Sequence, residues 1–321
     1  MGDEPKDSQF NIVTVKPLHP TFAAEISNVD FSKPLSEEVF QEIHKAVTKY
    51  GVVVFRRTCL NDDSHVAFAE RFGELDDITP YIAAGRKHRL KHVQLFDVSN
   101  VDIDGNILDP NSPRGQANKG NELFHVDSSF NPRRAGYSLL LAHELPPAGL
   151  GGHTAFADTR TAFTDLPEPL KQELREKNYI AAHSMHHSRK LAAPEYFADL
   201  EPLDHQPMGR HQLLQVHEAS GRENLYIAAH VHHIEGMSAE RSQELRDKLF
   251  AHATQEKYTV EIHWNQPGDL VIWDNTCTMH RAVGGPFVSM HRRDMRRATV
   301  HDSSSQAWGL NEHTDERVGL P

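Results

Sequence analysis

The chain has 321 residues, 38% of them hydrophobic, enough to bury one large core. Its formal net charge of −11 with histidines neutral argues against nucleic acid as the general partner, because phosphate binding needs a basic surface. No apolar run approaches the length of a membrane span, the polar start has no targeting signature, and Cys59 and Cys277 form no CxxC pair. A reduced, cytoplasmic protein without a membrane partner is therefore expected.

Residues 1–10 read as a disordered start, 11–302 as a single domain and 303–321 as a C-terminal tail. A short strand over 12–15 precedes a second extended piece at 22–31. Ser36 has the marks of a helix cap, with Glu37 and Glu38 in the first turn and Val39, Phe40, Ile43, Val47 and Tyr50 on one stripe. Gly51 ends that helix. A fully apolar run over 52–55 has strand length, and 61–72 forms a second amphipathic helix. Turn residues dominate 100–121, which reads either as a lid or as a disordered loop. Strands follow at 137–143 and 154–158. Helices are expected at 167–177 and 238–254, on either side of a histidine-rich stretch at 183–235. Residues 258–264 alternate like a half-buried strand, and a turn through Pro267 and Gly268 leads into a buried strand at 270–273. Many short strands, with helices in the first half and in one insert, fit a mainly β fold with flanking helices.

The chemistry centres on His125 and Asp127, two residues apart in an apolar, strand-like setting. Side chains at i and i+2 of an extended chain leave the same face, so the imidazole and the carboxylate point at one spot. Two histidines and one carboxylate with open positions left over is the arrangement of non-haem Fe(II) oxygenases. His280, which follows Gly268-Asp269-Leu270-Val271-Ile272-Trp273-Asp274-Asn275 in the segment Met279-His280-Arg281, is the candidate third ligand. Taken alone, the His-x-Asp pair is equally a hydrogen-bonded pair on a loop.

Five stretches stand together in one order: His125-x-Asp127-Ser128-Ser129-Phe130, Gly151-Gly152-His153-Thr154, Gly268 to Asn275, Met279-His280-Arg281, and Arg293-x-x-x-Arg297-Ala298-Thr299. In order and spacing the chain resembles the taurine dioxygenase and 2,4-dichlorophenoxyacetate dioxygenase family over roughly residues 10 to 302. Asp127 to Phe130, Trp273-Asp274-Asn275-x-Cys277 and the arginines at 292, 293, 296 and 297 make it more similar to the dichlorophenoxyacetate branch.

That resemblance implies a double-stranded β-helix (jelly roll), with His125, Asp127 and His280 as ligands of Fe(II), and 2-oxoglutarate and O2 as cosubstrates. It places the distal carboxylate of the keto acid on Arg293, whose fork meets a carboxylate bidentately, with a hydrogen bond from Thr154. It assigns Arg297 to an acidic group of the substrate, and Asn121, His217 and His230 to the substrate pocket. Thr154 also reads as an ordinary strand residue, and Arg297 as a partner for an internal carboxylate such as Asp302. Arg292 and Arg296 read as solvated charges, and His183, His186 and His187 as a polar surface. Phe124 stands where the family often has Trp, Thr276 where it has Arg, and Gly284-Gly285-Pro286 lengthens the segment before Arg293.

The expected activity is oxidation of a C–H bond in a small anionic organic substrate, carboxylate- or sulfonate-bearing and of aryloxyalkanoate type, with release of succinate and CO2. The subunit count stays open, a homo-oligomer included. Two other readings use the same residues: a zinc-dependent hydrolase or isomerase, which needs neither O2 nor Arg293, and a non-catalytic small-acid-binding protein.

Overall fold

The strand Leu270–Asp274 is buried at every position and pairs antiparallel with Val52–Phe55 on one side and Ala135–Glu144 on the other. Because side chains alternate along a strand, its two faces serve two different cores. Leu270 and Ile272 pack with Phe40, Ile43 and Val47 of the helix Glu37–Tyr50, whereas Val271 and Trp273 pack with Phe156, Ile262 and Met295. This computed structural model describes residues 7, 9–83, 87–200 and 207–314.

The strand belongs to a seven-stranded sheet in the order Thr14–Pro17, Ala24–Ser27, Val52–Phe55, Leu270–Asp274, Ala135–Glu144, Asp294–His301, Leu95–Asp97. Across the inner core lies a three-stranded sheet, Thr259–Ile262, Thr154–Asp158 and Thr278–Ala282. Phe156 of the smaller sheet faces inward. Ala157 and Met279 face outward, against Phe163, Leu170, Leu245 and Leu249 from the helices behind. Two facing sheets with helices on both outer sides make the jelly roll. The histidine-rich insert adds a three-stranded sheet of Val231–Ile234, Ile180–His183 and Gly209–Gln212, and the hairpin of Leu214–His217 with Arg222–Leu225. No helix among the described residues is long and apolar enough to cross a membrane.

Several expectations change on inspection. Phe10 is buried in the core and Asp7 accepts a hydrogen bond from the Tyr50 hydroxyl at 2.6 Å, so the start is anchored by residue 7, while residues 1–6 and 8 lie outside the described set. Beyond 302 the chain still packs: Ala307 is buried, Trp308 stacks on His313, and Leu310 N–H donates to the Arg210 carbonyl. Residues 315–321 lie outside the described set. Arg296 is not a solvated charge, because it bridges Asp62 at 2.5 Å and Asp294 at 3.1 Å, tying the strand Asp294–His301 to the helix Asp62–Ala69. Arg292 pairs with Glu144 at 3.0 Å. His183 and His186 are buried rather than a polar surface. His183 shares a hydrogen bond with the Ser129 hydroxyl at 3.0 Å, and burial pushes it down to about 3.

Ser36 caps the helix Glu37–Tyr50 through the Val39 N–H, and Gly51 ends it in the left-handed region at φ 70°. A Cβ on Gly51 would meet the Thr278 methyl at 2.8 Å, at the start of the strand that carries His280. Gly51→Ala therefore combines backbone strain with a steric clash, and a loss of roughly 1–3 kcal/mol is expected, seen as a lowered thermal unfolding midpoint. An unchanged midpoint would show that this contact does not constrain the fold.

Candidate active site

His280 lies opposite Phe156 in the smaller sheet, so it shares the inward face, with its ring centroid 4.6 Å from that of Trp273. His125 is not in a regular strand. It forms an isolated bridge with His280, each residue donating its N–H to the other's carbonyl, at 2.9 and 2.8 Å. Asp127 falls in the turn that follows. The extended His-x-Asp geometry expected from sequence is thus replaced by two separate devices. Backbone pairing brings the two imidazoles together, and side-chain hydrogen bonds place the carboxylate.

Those side chains are Ser138 and Asn275. The Ser138 hydroxyl donates to Asp127 Oδ2 at 2.8 Å, the Asp127 N–H donates to Asn275 Oδ1 at 3.0 Å, and Asn275 Nδ2 donates to Ser138 Oγ at 2.9 Å. Both come from neighbouring positions of the large sheet, in Ala135–Glu144 and just past Leu270–Asp274. One ligand atom each from His125, Asp127 and His280 lies within 4.8 Å of the others.

The donor set suits a divalent metal. His125 Nδ1 lies 2.7 Å from the Leu123 carbonyl, which can only accept, so Nδ1 carries the proton and Nε2 keeps its lone pair for a metal. Burial lowers the His125 pKa and, with repulsion from His125, takes that of His280 well below the ordinary imidazole value. Neutral imidazoles are what metal binding requires. Burial by itself would raise the Asp127 carboxyl, but Arg297, His280 and His125 outweigh it and hold it below the ordinary value.

The cluster opens on a cavity of about 540 Å³. Arg293 and Arg297 both face it. Arg293 is buried, its Nε donates to the Gly152 carbonyl at 2.9 Å, and no carboxylate among the described residues pairs with it. Burial without a counter-ion pushes it down to about 10. Gly152 allows the approach, since a Cβ there would stand 3.3 Å from Arg293 Cδ. Thr154 also lines the cavity, its hydroxyl accepting from the Trp264 indole N–H at 3.2 Å. An unneutralised guanidinium and a hydroxyl on the same cavity as the His-Asp-His cluster fit the distal carboxylate of a keto acid.

Arg297 does not pair with Asp302, which is held by Arg134 at 2.7 Å. Its Nη1 donates to Asp127 Oδ1 at 2.5 Å and its Nε to the Thr299 hydroxyl at 3.1 Å, while Nη2 has no protein partner among the described residues. Asn121 and His230 line the cavity. Asn121 takes long contacts from Arg189 at 3.4 and 3.5 Å, and His230 shares a hydrogen bond with the Ser188 hydroxyl at 2.9 Å.

His217 does not reach the cavity. It sits at the end of Leu214–His217 against Asp274, bonded at 2.9 Å to Oδ2, with Ser220 on its other ring nitrogen. Burial opposes its charge, but Cys277 and the Asp274 carboxylate outweigh this and push it up to about 10. It is therefore a structural ion pair at the end of the central strand.

Sequence reasoning left three residues of the site without a role. Asn275 stood in a recognised motif, and Ser138 was the one polar residue inside an apolar strand, which was a usable signal. Arg189, on the helix Met185–Ala192, also lines the cavity, and nothing in the histidine-rich insert marked it out. The turn-rich segment 100–121 contains the helix Pro113–Asn118 and supplies Ile103, Leu108 and Pro113 to the cavity wall.

Residues 14–299 match the model of the taurine catabolism dioxygenase TauD, TfdA family. The alpha-ketoglutarate-dependent 2,4-dichlorophenoxyacetate dioxygenase of Cupriavidus pinatubonensis is 36% identical over 293 residues, covering 91% of this chain and 99% of that protein. The (S)-phenoxypropionate/alpha-ketoglutarate-dioxygenase of Sphingobium herbicidovorans is 31% identical over 276 residues, covering 84% and 88%. Among solved structures, AAD-2 in complex with Mn(II) and N-oxalylglycine superposes with a TM-score of 0.83 at 34% identity, covering 92% of this chain and 100% of that one. The chain belongs to the TauD, TfdA family and is a dioxygenase dependent on Fe(II) and 2-oxoglutarate that acts on a small-molecule substrate.

Proposed function

We propose that this dioxygenase oxidises a C–H bond of a small organic acid of the aryloxyalkanoate type, with a sulfonate-bearing acid as the variant that the same cationic pocket would accept. His125, Asp127 and His280 hold the ferrous ion, Arg293 and Thr154 the distal end of 2-oxoglutarate, and Arg297, Asn121 and His230 border the substrate. When bound, the metal couples decarboxylation of 2-oxoglutarate to succinate and CO2 with oxidation of the substrate by O2.

The observation that carries this reading is the buried Arg293, with no carboxylate partner among the described residues, on the same cavity as the His-Asp-His cluster. A zinc hydrolase working through the same three ligands has no use for such a charge, and leaving a guanidinium buried without an anion costs several kcal/mol. The protein's own contribution is placement. Leu123 fixes the His125 tautomer, Ser138 and Asn275 fix the carboxylate, and Phe96, Phe130, Ile78 and Leu108 give the cavity the apolar wall that an aryl group and exclusion of water both require.

The acid group follows from charge. Asp127 is the carboxylate facing both Arg297 and the metal position, and Arg297 Nη2 has no protein partner among the described residues. An anionic substrate supplies what Asp127 alone cannot. The named activities of the relatives above, on 2,4-dichlorophenoxyacetate and (S)-phenoxypropionate, support the same class. The two cysteines are both free, Cys277 buried and Cys59 exposed, in keeping with the reducing cytoplasm we propose as its compartment.

Three outcomes are expected. Anaerobic addition of Fe(II) and 2-oxoglutarate gives a weak visible charge-transfer band that His280→Ala abolishes, and absence of the band in the unmodified protein would overturn the metal assignment. Arg293→Met raises KM for 2-oxoglutarate by roughly 30-fold or more, in line with the about 2–5 kcal/mol lost when one partner of a buried charge pair is removed. In a succinate-release assay over aryloxyacetates, sulfonates and amino acids, an aryloxyacetate outperforms its own amide. Arg297→Met erases that preference, and equal turnover of acid and amide by the unmodified enzyme would remove the anionic-substrate reading.

A further inference from the structure

Among the described residues, two clusters of metal-ligating side chains lie outside the active site: His217, Asp274 and Cys277, buried around the ion pair already described, and His153, Glu261 and His263, a group that reaches solvent. His153 precedes the strand Thr154–Asp158, and His263 follows the adjacent strand Thr259–Ile262, in which Glu261 lies. The register pairs Thr154 with Ile262 and Ala155 with Glu261, so His153 and His263 extend the same ladder as cross-strand neighbours. Because alternate residues leave opposite faces, His153, Glu261 and His263 share the face opposite to Thr154. Their ligand atoms lie within 4.8 Å of one another. The two imidazole rings stand 3.9 Å apart between centroids, and His263 Nε2 is 3.8 Å from Glu261 Oε1, beyond a hydrogen bond. His153 Nδ1 is buried and has no hydrogen-bond partner among the described residues.

We propose that His153, Glu261 and His263 form a second divalent-metal site on the outer face of the smaller sheet, selective for a borderline cation such as Zn2+, Ni2+ or Cu2+. Two imidazoles and one carboxylate, with a water completing the set, is a donor combination that such ions take. The ligands come from two paired strands, so the backbone is already in place and only exposed side chains have to turn. Glu261 and His263 are open to solvent, which gives the ion a path in.

The position gives the site a consequence. Gly152, just before His153, offers its carbonyl to Arg293, Thr154 lines the cavity, and Trp264, just after His263, donates to the Thr154 hydroxyl. An ion held outside would clamp 152–154 to 262–264, the two segments that carry Thr154 and the Gly152 and Trp264 contacts to Arg293 and Thr154.

The test uses the full chain with its catalytic centre filled by Mn(II) and N-oxalylglycine, titrated with Zn2+ and assayed by metal analysis after desalting. About one additional equivalent is expected to bind at micromolar concentration, with shifts of the His153 and His263 imidazole 15N resonances and slowed amide exchange at 152–154 and 262–264. His263→Ala should weaken this binding by more than about 100-fold, since even outer-shell losses cost about 10–100-fold. Glu261→Gln should weaken it less, and His280→Ala, measured in the same way, should leave the outer equivalent in place. Both outer substitutions fall on exposed side chains, so folding is preserved. Uptake only at millimolar zinc, or the same uptake by the His263→Ala protein, would overturn the proposal.

Discussion

Two backbone hydrogen bonds between His125 and His280 hold the site together. They join a segment that belongs to no sheet to the edge of the smaller one, and bring two imidazoles from positions 155 apart in sequence to a ring separation of 4.2 Å. The large sheet contributes the third ligand indirectly. Ser138 and Asn275 reach across the inner core and fix Asp127 by its carboxylate and its own N–H. The metal position is therefore defined where the two sheets of the roll meet. The packing of Trp273 against Phe156 and His280 keeps that junction dry.

The parts of this arrangement that were legible in sequence are those where residue type and position point the same way. Ser36 followed by two glutamates and an apolar stripe ending in Gly51 can hardly be anything but a capped helix, and the run ending in Trp273 reads as a strand buried on both faces. The His-x-Asp pair and the distant His280 were readable as ligands through the resemblance, but the reason they meet was not. Register between an irregular segment and a strand edge is set by tertiary hydrogen bonds that leave no periodic trace. His217 shows the reverse case. A local match suggested a pocket wall, yet the ring turns to Asp274, because a buried carboxylate at the end of the central strand needs a partner more than the cavity needs a histidine.

The arginines divide along the same line. Arg293 and Arg297 are four apart and both enter the cavity, as alternation along a strand requires, while Arg296 between them leaves by the other face to Asp62 and Asp294. Three cations within five positions thus do three different things. Which one is neutralised by protein and which is left for a ligand is a matter of the carboxylates facing each: Asp127, 170 residues away, for Arg297, and both the distant Asp62 and the nearby Asp294 for Arg296.

That distribution of charge links cosubstrate and substrate. Net charge of the whole chain is strongly negative, yet the field inside a cavity answers to the groups lining it. Among the described residues Arg293 pairs with no carboxylate, and Arg297 shares its one carboxylate partner with the position where the metal is held. A divalent ion drawn to Asp127 weakens the hold of that carboxylate on Arg297, since one negative charge cannot satisfy both. Once the cofactor is in place, the guanidinium therefore needs another anion. On the function proposed above, a substrate with one acidic group would meet that need, so the arginine that holds Asp127 in the metal-free protein would turn to the substrate in the loaded one.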